Sequence, residues 1–418
     1  MSSLKKLNDV LAKAVNYSPF YKQLYSGINI GEMSSLEELT KLPIISAEDI
    51  IEHCTEFLPT TIQPYRVTSS SGTLGKPKTI YRSESDTAVS VEVLERLLKM
   101  AGVTNRDTVF IGQPFDLAHF GYLVYDACKK MQALAIPAGI SISNEQFIQL
   151  IQHYKPTVLC TSISRLLVVI DILKSLNITK LSFVKKIILA GEPIQDKGIK
   201  IIEDFFNTTP FNFYGSEETD GLAGDCEYHS GLHFFEDLFY LELLPIDGLK
   251  PSKVGNRIGE AVITSLYQTA TPLIRYRLGD IVEVDVQRCK CGSTYPLIKV
   301  LGRAKDALHL FDGITLMAYQ IEKVLKVHLK EVVNYQIVAS TLVPGIEELC
   351  IRIETPISEN EYDQVITELS NDLWNSSQDL YAAKEAGTLR FKIEINQGNI
   401  EVTQRGKTRR IIDLRISE

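Results

Sequence analysis

The sequence predicts an α/β protein with a large N-terminal domain of mainly parallel sheets, a β-rich subdomain and a small α+β C-terminal domain. Three observations carry this. Between residues 106 and 215 short apolar runs alternate with amphipathic stretches, the pattern of parallel strands linked by crossover helices. From about 235 the chain turns to short β-rich segments punctuated by Gly and Pro, which suit antiparallel pairing. After Gly302-Arg303 a third texture begins, a compact mixture of strands and helices filling the rest of the 418 residues. At roughly 150 residues per domain, two or three domains are expected. The junction is placed as 1–303 and 304–418.

The elements follow in order. Residues 1 to about 60 read as helices, with Leu11, Val15, Phe20 and Leu24 near helical spacing and Tyr17, Tyr21 and Tyr25 recurring every four. Thr79–Arg82 reads as a strand, as do Asp107–Gln113, Thr157–Thr161 and Val184–Ala190, while Glu145–His153 and Arg165–Leu176 read as helices. Leu238–Leu244, Glu260–Ser265 and Asp280–Val286 are the β-rich segments. In the last part a strand (Ala307–Phe311), a helix (Ala318–Leu329), two strands, a helix (Glu359–Ser376) and another strand are expected.

Composition narrows the classes. Hydrophobic residues make up 44% and charged residues 23%, which excludes a disordered chain and a collagen-like fibre. A net charge of −8 argues against duplex DNA as a partner, whose footprint is a basic patch. No run of about 18 apolar residues predicts a membrane span, and the first residues lack the apolar core of a secretory signal. Seven cysteines, an odd number at uneven spacing, fit free thiols in a reducing cytoplasm.

The most informative stretch is Thr68-Ser69-Ser70-Ser71-Gly72-Thr73-Leu74-Gly75-Lys76-Pro77-Lys78. Glycines let backbone N–H groups approach phosphate oxygens, hydroxyls add donors, and lysine adds charge. Two residues separate Gly72 from Gly75 and Pro77 follows Lys76, so this is not a Walker A loop. It reads as a connection between two strands. A solvent-exposed Ser/Gly turn is the plain alternative.

The string Ser-Ser-Gly-Thr-x-Gly-x-Pro-Lys resembles the phosphate-binding signature of the adenylate-forming superfamily, which includes acyl-CoA synthetases and carrier-protein adenylation domains. The resemblance continues in order. Ala190-Gly191-Glu192-Pro193-Ile194 resembles the adenine-side loop, and Phe213-Tyr214-Gly215-Ser216-Glu217-Glu218 the Tyr-Gly-x-[Ser/Thr]-Glu motif. Thr271 to Asp280 resembles the aspartate motif, Gly302-Arg303-Ala304-Lys305-Asp306 the hinge, and Gly406-Lys407-Thr408-Arg409-Arg410 the terminal lysine motif. Gly231 to Asp237, the Cys289-x-Cys291 pair and the compact length resemble the phenylacetate–coenzyme A ligase branch.

The resemblance implies two half-reactions. A carboxylate attacks the α-phosphate of ATP with release of pyrophosphate, and a thiol then attacks the acyl-adenylate. Ser70, Ser71, Gly72, Thr73, Gly75, Lys76 and Lys78 are assigned to the phosphates. Glu218 is assigned to Mg²⁺, Gly191, Glu192, Pro193, Tyr214 and Gly215 to the adenine side, and Asp280 and Arg303 to the ribose. Lys407 reaches the reacting carboxylate and α-phosphate, and Lys305 is the hinge about which a mobile C-terminal lid turns between half-reactions. Singly, Tyr214 reads as a core aromatic, Asp280 as a turn residue and Lys407 as a solvated charge; together, at family spacing, they read as a site. One departure is Glu217, which stands where the family carries Ser or Thr, so the division of labour between Glu217 and Glu218 is open.

The acid pocket is placed on the segment after the predicted strand 107–113. There Phe115, Phe120 and Tyr122 wall a flat aryl acid and His119 bonds it, with Ala190 also assigned to the substrate. The alternative is a helix N-terminus whose aromatics fill the core. The thiol acceptor is coenzyme A or a carrier protein, the latter docking on Arg405 to Arg410. Cys289-x-Cys291 is shorter than the usual zinc knuckle, yet with Cys226 and His233 it makes a tetrahedral structural Zn²⁺ site, His229 being the substitute. Unpartnered buried thiols are the other reading. Cys54, Cys128, Cys160 and Cys350 are read as packing residues. Pairing as a homodimer is left open. Two rival functions are a non-catalytic nucleotide-binding regulator that kept the fold and a luciferase-like oxygenase.

Overall fold

The computed structural model describes residues 2–70, 77–192, 194, 196–246, 249, 251–310, 314–329, 334–343, 345–397, 400–401, 408 and 410–415. The chain divides into two compact units. The first comprises Met1–Glu242, Ala261–Leu278 and Val284–Lys299; the second comprises Leu243–Glu260, Gly279–Glu283 and Val300–Glu418.

The N-terminal stretch is helical, as its spacing predicts: α1 (Ser3–Tyr17), α2 (Pro19–Leu24), a 3₁₀ turn over Leu36–Lys41, α3 (Ala47–Glu52) and α4 (Cys54–Phe57). α1 buries Leu7, Val10, Leu11 and Ala14, one helical stripe. Ser18 ends α1 and caps α2, its Oγ accepting from the Tyr21 N–H, with Pro19 in the first turn. Tyr21, fully buried, donates its hydroxyl to the Pro272 carbonyl at 2.7 Å and accepts from the Ile274 N–H at 3.2 Å. The helical N-terminus is thereby tied to the aspartate-motif loop.

β1 (Arg66–Ser70) and β2 (Lys78–Arg82) pair antiparallel with Ser70 opposite Lys78, so the glycine-rich stretch does connect two strands. α5 (Glu84–Met100) opens on a capping box between Ser83 and Asp86. The alternation expected over 106–215 follows: β3 (Thr108–Ile111), α6 (Phe120–Met131), β4 (Leu134–Ile136), α7 (Asn144–Tyr154), β5 (Val158–Thr161), α8 (Ile163–Ser175), β6 (Lys186–Ala190), α9 (Asp196–Phe206) and β7 (Phe211–Tyr214). β4, β3, β5, β6 and β7 pair in parallel. Every residue of β5 is buried, which is why it reads as an unbroken apolar run.

The β-rich segments become β8 (Ala223–Gly224), β9 (Leu232–Phe234), β10 (Phe239–Leu244), β11 (Arg257–Ser265), β12 (Tyr276–Asp285) and β13 (Leu297–Arg303). They do not build a sheet of their own. One 11-stranded sheet runs β10-β11-β12-β13-β9-β8-β7-β6-β5-β3-β4. The switch from parallel to antiparallel falls at β7, beside which β8 pairs antiparallel with Tyr214 opposite Ala223.

The second unit holds a hairpin of β14 (Ala307–His309) and β15 (Thr315–Met317), α10 (Ala318–His328), β16 (Asn334–Val343), β17 (Ile346–Glu354), α11 (Tyr362–Asn375), α12 (Gln378–Ala386), β18 (Leu389–Ile395) and β19 (Ile411–Asp413). Its four-stranded sheet has the order β18-β17-β16-β19. Leu325, Ile337, Leu349, Ile351, Leu369 and Leu373 centre its core. α12 and β19 are not marked in the sequence pattern.

Candidate active site

In the first unit, residues from three of the sequence motifs meet. Lys78 opens β2 and Tyr276 opens β12, while Glu218 lies in the turn after β7. The Lys78 Nζ donates to Glu218 Oε1 and lies 3.3 Å from the Tyr276 hydroxyl, which itself donates to Glu218 Oε1 at 2.6 Å. Glu218 is only 3% exposed. Gln268 Nε2 donates to its carbonyl at 2.6 Å, fixing the backbone beneath the carboxylate. The burial of this carboxylate is balanced by Lys78 and Tyr276 on one of its oxygens, and carboxylate oxygen is the hard donor type that Mg²⁺ prefers.

The turn that aims Glu218 is over-determined. The Asp220 N–H donates to the Ser216 carbonyl at 2.8 Å, and the Ser216 N–H to Thr219 Oγ1 at 3.0 Å. Gly215 is obligatory: a Cβ there would lie 1.8 Å from the Asp220 carbonyl oxygen. Tyr214, the last residue of β7, is held by the Leu222 N–H on its carbonyl at 2.8 Å.

Behind the turn lies a buried charge network that the sequence did not disclose. Asp220 accepts from Arg82 at 3.0 Å, from His119 Nε2 at 2.7 Å and from Ser90 Oγ at 2.5 Å. Burial opposes the charged form of Asp220, but Arg82 and His119 outweigh it, and its carboxyl is held below the usual range. Arg82 also donates to the Glu217 carbonyl at 2.5 Å. The Glu217 side chain takes a different environment from Glu218: its Oε1 is buried without a hydrogen-bond partner, and burial pushes the carboxyl up. Arg82 stands at the end of a strand pattern and Asp220 two residues past a motif, so only their shared burial marks them.

His119 is the residue preceding α6 and is buried against protein partners. Arg66 approaches its Nδ1 at 3.4 Å, which leaves the proton on Nε2 for Asp220. Both ring nitrogens are thus engaged by protein partners. Phe120 begins α6 and is half-buried, in keeping with the helix N-terminus alternative, while Phe115 meets Tyr122 edge-on at 5.1 Å. Phe115 also lines a cleft of about 320 Å³ with Asp116, Pro137, Ala138, Gly139, Ile140 and Ser141, at the carboxyl ends of β3 and β4. The Leu117 carbonyl accepts from the Ser69 N–H at 3.0 Å and so holds this segment against β1.

Ala190 ends β6 and is buried. After Gly191, Glu192 accepts from the Ser164 N–H at 3.1 Å and its Oγ at 2.6 Å, in the first turn of α8. The side chain of Ser70 and residues Ser71, Gly72, Thr73, Gly75, Lys76, Pro193, Arg405 and Lys407 lie outside the described residues.

In the second unit Asp280 is buried and accepts from Arg303 Nε at 3.0 Å, while the Arg303 side chain is 52% exposed. Lys305 sits in a 3₁₀ turn over Ala304–Asp306. Of the terminal basic run, Arg410 is committed internally: it donates to Asn334 Oδ1 at 2.9 Å and the Tyr335 carbonyl at 2.8 Å, and its guanidinium lies 4.3 Å from the centre of the Tyr335 ring.

In the first unit Cys226, His233, Cys289 and Cys291 converge, with their ligand atoms all within 4.8 Å of one another. His229 turns away, its Nδ1 paired with Asp225 at 2.6 Å. Cys54, Cys128, Cys160 and Cys350 are free thiols, the last three buried. Among the described residues no helix is long and apolar enough to cross a membrane.

No protein-family model matches the chain. Phenylacetate-coenzyme A ligase of Thermus thermophilus is 26% identical over 98% of this chain and 95% of its own length. The Escherichia coli enzyme of the same name is 26% identical over 76% of this chain and 74% of its own. Among solved structures, 2-hydroxyisobutyryl-CoA ligase in an open conformation with 2-HIB-AMP and CoA superposes with a TM-score of 0.76 at 20% identity, covering 98% of this chain and 90% of that one. Over nearly its whole length the chain is therefore similar to phenylacetate-coenzyme A ligase of Thermus thermophilus, and it shares the α/β fold of 2-hydroxyisobutyryl-CoA ligase.

Proposed function

We propose that the protein activates an aryl carboxylic acid with ATP and passes the acyl group to coenzyme A. The observation that carries this is the meeting of Lys78, Glu218 and Tyr276 in one buried cluster. Three stretches, separated by up to 198 residues, supply one cation, one carboxylate and one hydroxyl beside the hairpin that brackets the glycine-rich stretch.

In the first half-reaction a carboxylate oxygen attacks the α-phosphorus and pyrophosphate departs. This needs in-line positioning and charge neutralisation more than covalent help. Glu218 is the residue that would hold Mg²⁺, whose bound charge offsets that of the phosphates. Lys78, exchanging its carboxylate partner for phosphate oxygen, would neutralise the leaving pyrophosphate. Asp280 would accept from the ribose hydroxyls with Arg303 beside it, and Lys407 would steady the attacking carboxylate. In the second half-reaction a thiolate attacks the acyl carbon and AMP leaves; residues 304–418 act as the lid that separates the two steps.

Coenzyme A is preferred to a carrier protein because Arg410, part of the basic run a carrier would need, is tied to Asn334 and Tyr335. The aryl preference rests on Phe115, which lines the cleft and is held edge-on by Tyr122. The test is acid-dependent ATP–pyrophosphate exchange over a panel of aryl, fatty and amino acids, followed by thioester formation with coenzyme A. Exchange is expected with aryl acids, and Glu218→Gln should lower it by about 100-fold or more. Nucleotide binding without exchange for any acid would instead identify a regulator.

A further inference from the structure

The Cys226, His233, Cys289 and Cys291 cluster stands apart from the chemistry above and is built from three elements. Cys226 follows β8, and His233 is the central residue of β9, opposite Gly224 of β8 and Leu297 of β13. Cys289 and Cys291 lie in the turn before β13. That turn is shaped for its sulfurs. The Gly292 N–H reaches the Cys289 carbonyl at 3.3 Å, with Gly292 at φ +83°, and the Ser293 N–H donates to Cys291 Sγ at 3.4 Å. The backbone N–H groups of Lys290 and Cys291 face Cys289 Sγ.

The spacing is that of a coordination shell. Cys226 Sγ lies 3.6 Å from Cys289 Sγ and 3.4 Å from His233 Nε2, and Cys291 Sγ lies 3.4 Å from the same nitrogen. A tetrahedral zinc with the usual bond lengths places sulfurs about 3.8 Å apart and sulfur about 3.5 Å from nitrogen. A disulfide demands sulfurs about 2.05 Å apart and would engage two of the four groups, leaving a buried imidazole and a thiol behind. The surroundings are apolar, with Leu297 and Met100 packed against the thiols. Four polarisable donors gathered in such a pocket gain little from one another as neutral groups.

We propose that Cys226, His233, Cys289 and Cys291 hold a structural zinc ion that clamps the loop after β8 and the turn before β13 onto β9. All four positions of the tetrahedron are taken by protein, so the ion has no open site for chemistry. Three thiols lose their protons to solvent on binding, leaving a net charge of −1 at the ion that the sequence neighbours Arg288 and Lys290, both exposed, offset. Zinc on Nε2 puts the imidazole proton on Nδ1, which is buried beside the Tyr295 backbone.

The test uses the full chain, purified under reducing conditions without chelator or metal-affinity resin. Elemental analysis should find equimolar zinc. Cobalt exchanged into the site should give the visible absorption of a tetrahedral thiolate complex. Cys291→Ser should lower metal content at least about tenfold. If that variant fails to fold, the cobalt spectrum of the native chain decides. Zinc-free protein that also refuses cobalt would overturn the proposal. So would a Cys226–Cys289 disulfide in the reduced preparation, or full zinc retention in a Cys226→Ser, Cys289→Ser double variant. Pyrophosphate exchange is scored separately, so loss of zinc and loss of the proposed activity are distinguishable.

Discussion

Adjacent in the chain, Glu217 and Glu218 turn to different partners. Glu218 meets Lys78 and Tyr276, whereas the Glu217 carboxyl is buried in the field of His119, Asp220 and Arg82. The motif alone could not divide them, because the split is made by the 216–220 turn, where Asp220 takes φ +60°. Burial raises the Glu217 carboxyl above its ordinary 4.5, so the folded state holds a proton that the unfolded chain releases. Its contribution is therefore intact below pH 4.5 and is lost as pH rises through the raised value. Glu217→Gln should raise the melting temperature at neutral pH and leave it nearly unchanged near pH 4, measured by calorimetry across that range. An equal shift at both pH values would show that the carboxyl is not proton-linked. His119 illustrates the opposite limit of sequence reading. Its residue type suggested a hand on the substrate, but the fold spends its hydrogen bonds on Arg66 and Asp220.

Asp86 does at the level of elements what Asp220 does at the level of residues. It completes the capping box that starts α5, and it accepts from the Thr269 N–H and Oγ1 and the Ala270 N–H, each at 2.9 Å. One buried carboxylate thus joins a helix start to the loop that leads into the aspartate motif. Asp86→Ala removes a cap and strands three donors, and should cost about 2–4 kcal/mol in urea unfolding. A loss under about 1 kcal/mol would mean that the loop does not depend on it. Most elements were legible. The apolar runs that became β3, β5 and β6 and the stripes that became α7 and α8 are local patterns of burial. β8 is two residues long and α12 has only Leu380 and Ala383 buried, so neither leaves a period to read.

Taken whole, the chain carries its motifs in an order that sequence alone exposed, and the proposed function assigns residues 304–418 the part of a lid between the two half-reactions. Lys305, in the 3₁₀ turn after β13, is the position where a fixed dihedral should tell. Lys305→Pro locks φ near the value of that turn. It should leave pyrophosphate exchange within about threefold of wild type and slow thioester formation by about tenfold or more. Equal loss of both would remove the hinge role. Consecutive residues alone carried the resemblance to the phenylacetate–coenzyme A ligase branch, the α/β class and the stretches proposed to bear the chemistry, because phosphate loops, carboxylates and apolar periods are written locally. The three-dimensional fold was needed to show that the antiparallel strands extend the parallel sheet and that Arg82, Ser90 and His119 all close on Asp220. Those are pairings between residues tens to hundreds of positions apart, set by burial and hydrogen-bond satisfaction in three dimensions, and no local pattern encodes them.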